Sequence, residues 1–167
     1  MFGEIIDFDT CCKQEEQIDF LYAIFKNDFI DNECYLASKI YINPQSNKKK
    51  DGKEEIFWHI VTRKNRGKRE LDLPRAIRIK WVKKIILHHN HKEIKMFYYF
   101  EDNGKIRLYL WAYNYDFVVI LQKLGNSSSF LVTSFYIDNQ KKRDKFQKKF
   151  EDYINKTDKR LDTCEWF

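Results

Sequence analysis

His59 is the residue in this sequence best suited to moving a proton, because imidazole titrates near neutral pH without help from its surroundings. It stands in the run Phe57-Trp58-His59-Ile60-Val61-Thr62-Arg63, with Arg63 one helical turn further on, and that pairing could hold an imidazole beside a phosphate. A core histidine bonded to backbone, with Arg63 as an ordinary surface charge, fits the same residues. A second candidate row is Phe130 to Asp138. In an extended strand Thr133 and Phe135 share one face and Ser134 and Tyr136 the other. Such a row could offer a hydroxyl to a phosphate oxygen and an aromatic ring to a base. The β-propensity of Thr, Phe and Tyr explains it equally well. Metal-free RNA cleavage needs a base for the 2′-hydroxyl, cationic donors for the phosphorane and an acid for the leaving 5′-oxygen. His59, a cluster of arginines and one hydroxyl are just enough.

Other constellations carry less. His88, His89 and His91 lie where a basic helix should end, a position that favours histidine through the helix dipole, and a metal site wants separated and oriented ligands. No metal is expected. Cys11, Cys12, Cys34 and Cys164 lack C-x-x-C spacing, and a bond between adjacent cysteines is strained, so they read as free thiols. The glycine-rich phosphate loop, the dinucleotide fingerprint and the G-x-S-x-G elbow do not occur. No cofactor is implied.

Charge points to a partner. Residues 1–33 hold nine acidic groups against Lys13 and Lys26, whereas the remainder holds 29 basic and 16 acidic groups, within a net charge of +6. A field of that sign draws polyanions by releasing condensed counterions, although it also suits a surface that is merely soluble. Aromatic residues make up 17%, and Tyr98, Tyr99, Tyr109, Trp111, Tyr113 and Tyr115 are interleaved with Arg107, a pattern that could stack unpaired bases or simply fill a core.

These residues must be held by elements that the sequence outlines. Ile18, Leu21, Tyr22, Phe25 and Phe29 recur at helical spacing within an acidic segment, and Cys34 to Ile42 alternates as one strand. Residues 45–53 read as a mobile loop around Asp51-Gly52, and 53–61 as a short helix carrying His59. Residues 63–73 form a basic connector containing Arg66. Pro74 opens an amphipathic helix to His88, which carries Arg75 and Arg78. Beyond His91 four extended segments follow, the first pair joined at Asn103-Gly104, and a last helix spans about 139–155. The expected architecture is one α+β domain over residues 1–167: helices packed on a four-stranded antiparallel meander, with an added N-terminal helix and strand. No apolar stretch is long enough to span a bilayer and the N-terminus is acidic, so a cytoplasmic protein is expected.

Taken in order, the His59 run, then Arg75-Ala76-Ile77-Arg78-Ile79-Lys80-Trp81, then Leu108 to Trp111 and Leu131 to Tyr136, resemble small phage and mobile-element proteins. Those proteins are similar to the barnase, EndoU, colicin and RelE-like nuclease superfamily. The resemblance covers about residues 35–155 and leaves 1–33 as an acidic helical extension, either a cap on the sheet or a shield over the basic face. It implies a metal-independent ribonuclease, often a toxin against tRNA or mRNA with a cognate inhibitor protein. His59 would be the acid or base, Thr133 the sheet hydroxyl, and Arg63, Arg75 and Arg78 the stabilising cations. The strand departs from the commoner Thr-Ala-Tyr-like pattern, because the ring two residues after Thr133 is Phe135, which has no proton to give. Tyr136 is the remaining phenol. Arg66, Arg75, Arg78, Arg107, Trp111 and Phe135 would contact nucleic acid. The alternative is a binding module, for nucleic acid or a protein partner, that uses the same face without turnover.

Overall fold

The computed structural model describes residues 2–8 and 13–166, so Cys11 and Cys12 lie outside the described residues. Helix α1 (Gln14–Phe29) buries Leu21, Phe25 and Phe29, the stripe that the periodicity marks out. The alternating segment after it is not one strand. Left-handed backbone at Ala37 and Ser38 (φ 52° and 55°) folds it into β1 (Tyr35–Leu36) and β2 (Ile40–Asn43), which pair antiparallel. The lysine-rich loop contains a small hairpin, β3 (Lys49–Lys50) and β4 (Lys53–Glu54), turning at Asp51-Gly52. Helix α2 (Glu55–Val61) follows directly.

The basic connector is a second hairpin, β5 (Thr62–Asn65) with β6 (Lys68–Leu71). Asp72 caps α3 (Leu73–Ala76) by accepting from the Arg75 N–H at 3.3 Å, with Pro74 in the first turn. The expected single helix over 74–88 is therefore two, α3 and α4 (Ile79–Leu87), with Ile77 and Arg78 between them. The extended region gives β7 (Ile94–Phe100), β8 (Ile106–Ala112), β9 (Phe117–Leu124) and β10 (Ser128–Tyr136). Asn139 then caps α5 (Gln140–Ile154).

Strands β7 to β10 are antiparallel neighbours, but the sheet does not stop at four. On the far side of β10, β2 pairs in parallel and brings β1 with it. The result is a mixed six-stranded sheet in the order β1-β2-β10-β9-β8-β7. A four-stranded sheet was the expectation because only the last four segments are joined by short connections. Parallel pairing across the length of the chain leaves no local signal.

The sheet is buried on both faces. One face meets α1, α2 and α4 through Leu108, Leu110, Phe117, Val119 and Leu121. The acidic helix is part of this core, packed against α2 and α4, with Asp28 paired to Lys83 at 3.7 Å. The other face carries Phe97, Tyr109, Trp111, Val118 and Ile120 under Phe146 and Phe150 of α5. No helix among the described residues is long and apolar enough to cross a membrane.

Candidate nucleic-acid interface

The C-terminal end of α2 organises the groups singled out above. A helix leaves its last carbonyls without helical donors. The His59 carbonyl is met by Thr133 Oγ1 at 3.1 Å and by Arg75 Nη1 at 2.8 Å, and Arg75 Nη1 also reaches the Thr62 carbonyl at 2.8 Å. Arg75 and Thr133 thus tie α2 to α3 and β10 through backbone. The imidazole of His59 bonds to the backbone of Val132, where β10 bulges between Leu131 and Thr133. Burial, then the neighbouring Arg69 and Arg75, hold its pKa below the usual histidine value against an opposing pull from Glu55. It lines a hollow of about 260 Å³ with Gln45, Glu55, Gln122 and Phe130.

Arg63, Arg75, Phe135 and Tyr136 come together in a different hollow, of about 320 Å³, with Asp72, Asp138 and Lys142 on its walls. Its cations already face carboxylates. Arg63 lies 3.8 Å from Asp72 and 3.5 Å from Asp138, Arg75 3.8 Å from Asp72, and Lys142 2.8 Å from Asp138. The hydrogen bond from Lys142 pulls the Asp138 carboxyl below its ordinary range. Arg78 is half-buried beside this hollow, 4.3 Å from the Tyr136 ring centroid and 5.3 Å from that of Trp81, with Nη1 on the Pro74 carbonyl. The sequence-derived set is therefore divided. The ring of His59 does not share the hollow of Arg63 and Tyr136, and the Thr133 hydroxyl is held against backbone.

No family model, curated protein or solved structure matches this chain.

Arg107 and Trp111 belong to neither hollow. Trp111 is 1% exposed, covered by Phe146 of α5 at 6.1 Å and by Arg143 and Lys95 at 5.4 and 5.0 Å. It is core rather than a stacking platform. Arg107 sits on β8, 3.9 Å from Glu101. Among the described residues, no group of three His, Cys, Asp or Glu side chains could hold a metal ion.

What the sequence reading missed is the form of the basic segments. Two short ribbons flank α2, and Trp58 Nε1 fastens the first of them by donating to the Lys50 carbonyl at 2.8 Å. The second turns at Arg66 and Gly67, both left-handed (φ 46° and 84°), as a two-residue hairpin turn of the primed type requires. Lys48, Lys49 and Lys50 are exposed on one ribbon, and Arg63, Lys64, Arg66, Lys68 and Arg69 on the other. Among the described residues Lys64, Arg66 and Lys68 have no ion pair. Arg66 is thus presented at a tip. The Arg-Gly pair was the available signal, but charged strands without apolar alternation hid it.

Proposed function

We propose that this chain is a nucleic-acid-binding module, RNA first, that grips the phosphate backbone with its two basic ribbons and does not cut it through His59. The observation that carries the reading is the β5–β6 ribbon, which holds Lys64, Arg66 and Lys68 in solvent without an ion pair among the described residues while Arg63 and Arg75 nearby are occupied by carboxylates and carbonyls. Cations free of internal pairing are the ones that can neutralise phosphates and release counterions. Against turnover stands the separation of the His59 imidazole from the hollow that gathers Arg63, Arg75 and Tyr136. A general base must come within hydrogen-bond reach of its proton, and a base and its cations in separate hollows do not meet that condition together.

The test measures anisotropy of labelled RNA in EDTA between about 50 and 200 mM salt. Wild type should bind with a steep salt dependence and leave the RNA intact on a gel. The variant Lys64→Glu/Arg66→Glu/Lys68→Glu should bind weakly, with a slope of log K against log salt smaller by about 2, at roughly 0.7 per phosphate contact on a single strand. Equal binding by that variant would remove the ribbons from the reading. RNA cleaved by wild type but not by His59→Ala would restore the ribonuclease.

A further inference from the structure

One row of the sheet remains beside the hollow that His59 lines. Phe130, Gln122, Arg107 and Tyr99 are successive cross-strand partners on β10, β9, β8 and β7, and therefore share a face. It is the face covered by α5, whose Lys149 lies 3.7 Å from the Tyr99 centroid at one end of the row and whose Phe146 and Phe150 lie against Tyr109, Phe97 and Trp111. At the Phe130 end the row opens into the 260 Å³ hollow instead.

That hollow is built from three directions. The bulge in β10 presents the Val132 backbone to the imidazole of His59, which fixes the ring. Gln45 follows Pro44 with φ at 52°, a backbone state uncommon outside glycine, asparagine and aspartate. Glu55, on α2 one turn before His59, closes the third side. Among the described residues the side chains of Gln45, Glu55 and Gln122 make no hydrogen bond, so two carboxamides and a carboxylate meet a phenyl ring with their polar atoms unused. Glu55 is exposed and Gln45 and Gln122 are partly so, and the convergence of such groups beside an aromatic wall suits a flat heterocycle with donors on its edge.

We infer that this hollow seats one unpaired base of single-stranded RNA, a base bearing an exocyclic amino group, with Phe130 against its face. Gln122 and Gln45 read its edge, and Glu55 accepts from the amino group. Carboxamides pair with the donor–acceptor edge of adenine and a carboxylate accepts from the amino group of cytosine, whereas uracil offers Glu55 no such donor. Duplex bases cannot enter, because reading a base on its pairing edge requires that it be splayed out. Arg107, one strand and about 5 Å from Gln122, stands where a neighbouring phosphate would pass. Backbone bonds join Lys48 to Gln45 and Glu55 at 2.9 and 2.8 Å, so the first basic ribbon begins at the rim. The inference rests on the ribbon reading and adds base choice to it.

The experiment compares labelled oligo(A), oligo(C) and oligo(U) of equal length with wild type, Glu55→Gln, Gln122→Leu and the ribbon variant above. Wild type should bind oligo(A) or oligo(C) about tenfold more tightly than oligo(U). Glu55→Gln and Gln122→Leu should erase that preference and leave oligo(U) binding unchanged, a result that misfolding would not produce. Equal wild-type binding to all three, or a preference that survives both substitutions, overturns the base site and leaves the ribbons standing. No binding of any oligomer at low salt overturns both readings together.

Discussion

Arg75 shows how a residue selected for its charge can be claimed by backbone. One of its nitrogens closes two carbonyls at the end of α2, His59 and Thr62, and the side chain is only 14% exposed. Arg75→Met should therefore destabilise the fold by about 2 kcal/mol, since the Thr62 carbonyl loses its side-chain donor and the His59 carbonyl keeps only Thr133, and Thr133→Val by about 1 kcal/mol. Urea denaturation gives both values, and an Arg75→Met protein of unchanged stability that had lost RNA binding would reassign the residue to the ligand. For His59 the sign follows from burial. Its folded pKa lies below the usual value of 6.5, so on acidification the unfolded chain takes up protons first. The stability held by the neutral ring is complete above about pH 6.5 and declines as the pH falls through that value towards the folded pKa. His89, lowered chiefly by burial, acts in the same direction. Urea midpoints for wild type should thus fall between about pH 7 and pH 5, and fall less for His59→Gln/His89→Gln; identical slopes would reject the assignment. Residue types were legible in the sequence, and Arg63, Arg75, Phe135 and Tyr136 do share one hollow. The atom that Arg75 and Thr133 both seek, a main-chain oxygen, has no letter in the sequence.

Among elements, the helices were the most legible, because Leu21, Phe25 and Phe29 or Ile79, Val82 and Ile86 can satisfy their spacing in only one way. The segment Cys34 to Ile42 shows where alternation fails. Cys34, Leu36, Ile40 and Ile42 are all buried as period two requires, yet the chain reverses between Leu36 and Ile40, which face each other. A turn that preserves the parity of the faces is invisible to a pattern that counts only parity. The β5–β6 ribbon failed for the opposite reason: Arg63, Lys64, Asn65, Lys68, Arg69 and Glu70 are all exposed, so no apolar face marks the strands. Its turn depends on Gly67 at φ 84°. Gly67→Val should cost about 1 kcal/mol locally and loosen the ribbon while the global urea midpoint barely moves. Amide exchange in residues 62–71 should rise and RNA affinity should drop; ribbon amides as slow as before would show that the turn tolerates a side chain.

For the molecule as a whole, the two faces of the sheet are held differently. The face under α1, α2 and α4 is closed by fully buried aliphatic and aromatic side chains. Helix α5 has no buried residue and rests on aromatic rings through half-exposed Phe146 and Phe150 and through cations, with Lys149 3.7 Å from the Tyr99 centroid and Lys95 of β7 5.0 Å from that of Phe150. Hydrogen exchange should therefore open α5 well before β8 and β9, and equal protection would contradict the difference in packing. The parallel contact between β2 and β10 has a consequence in time. Tyr41 lies beside Ser128 and Asn43 beside Phe130, so a growing chain makes β2 on the order of ten seconds before its partner leaves the ribosome. Through that interval Leu36, Ile40 and Ile42 have no sheet to join, and the apolar side of β2 stays uncovered until translation reaches β10.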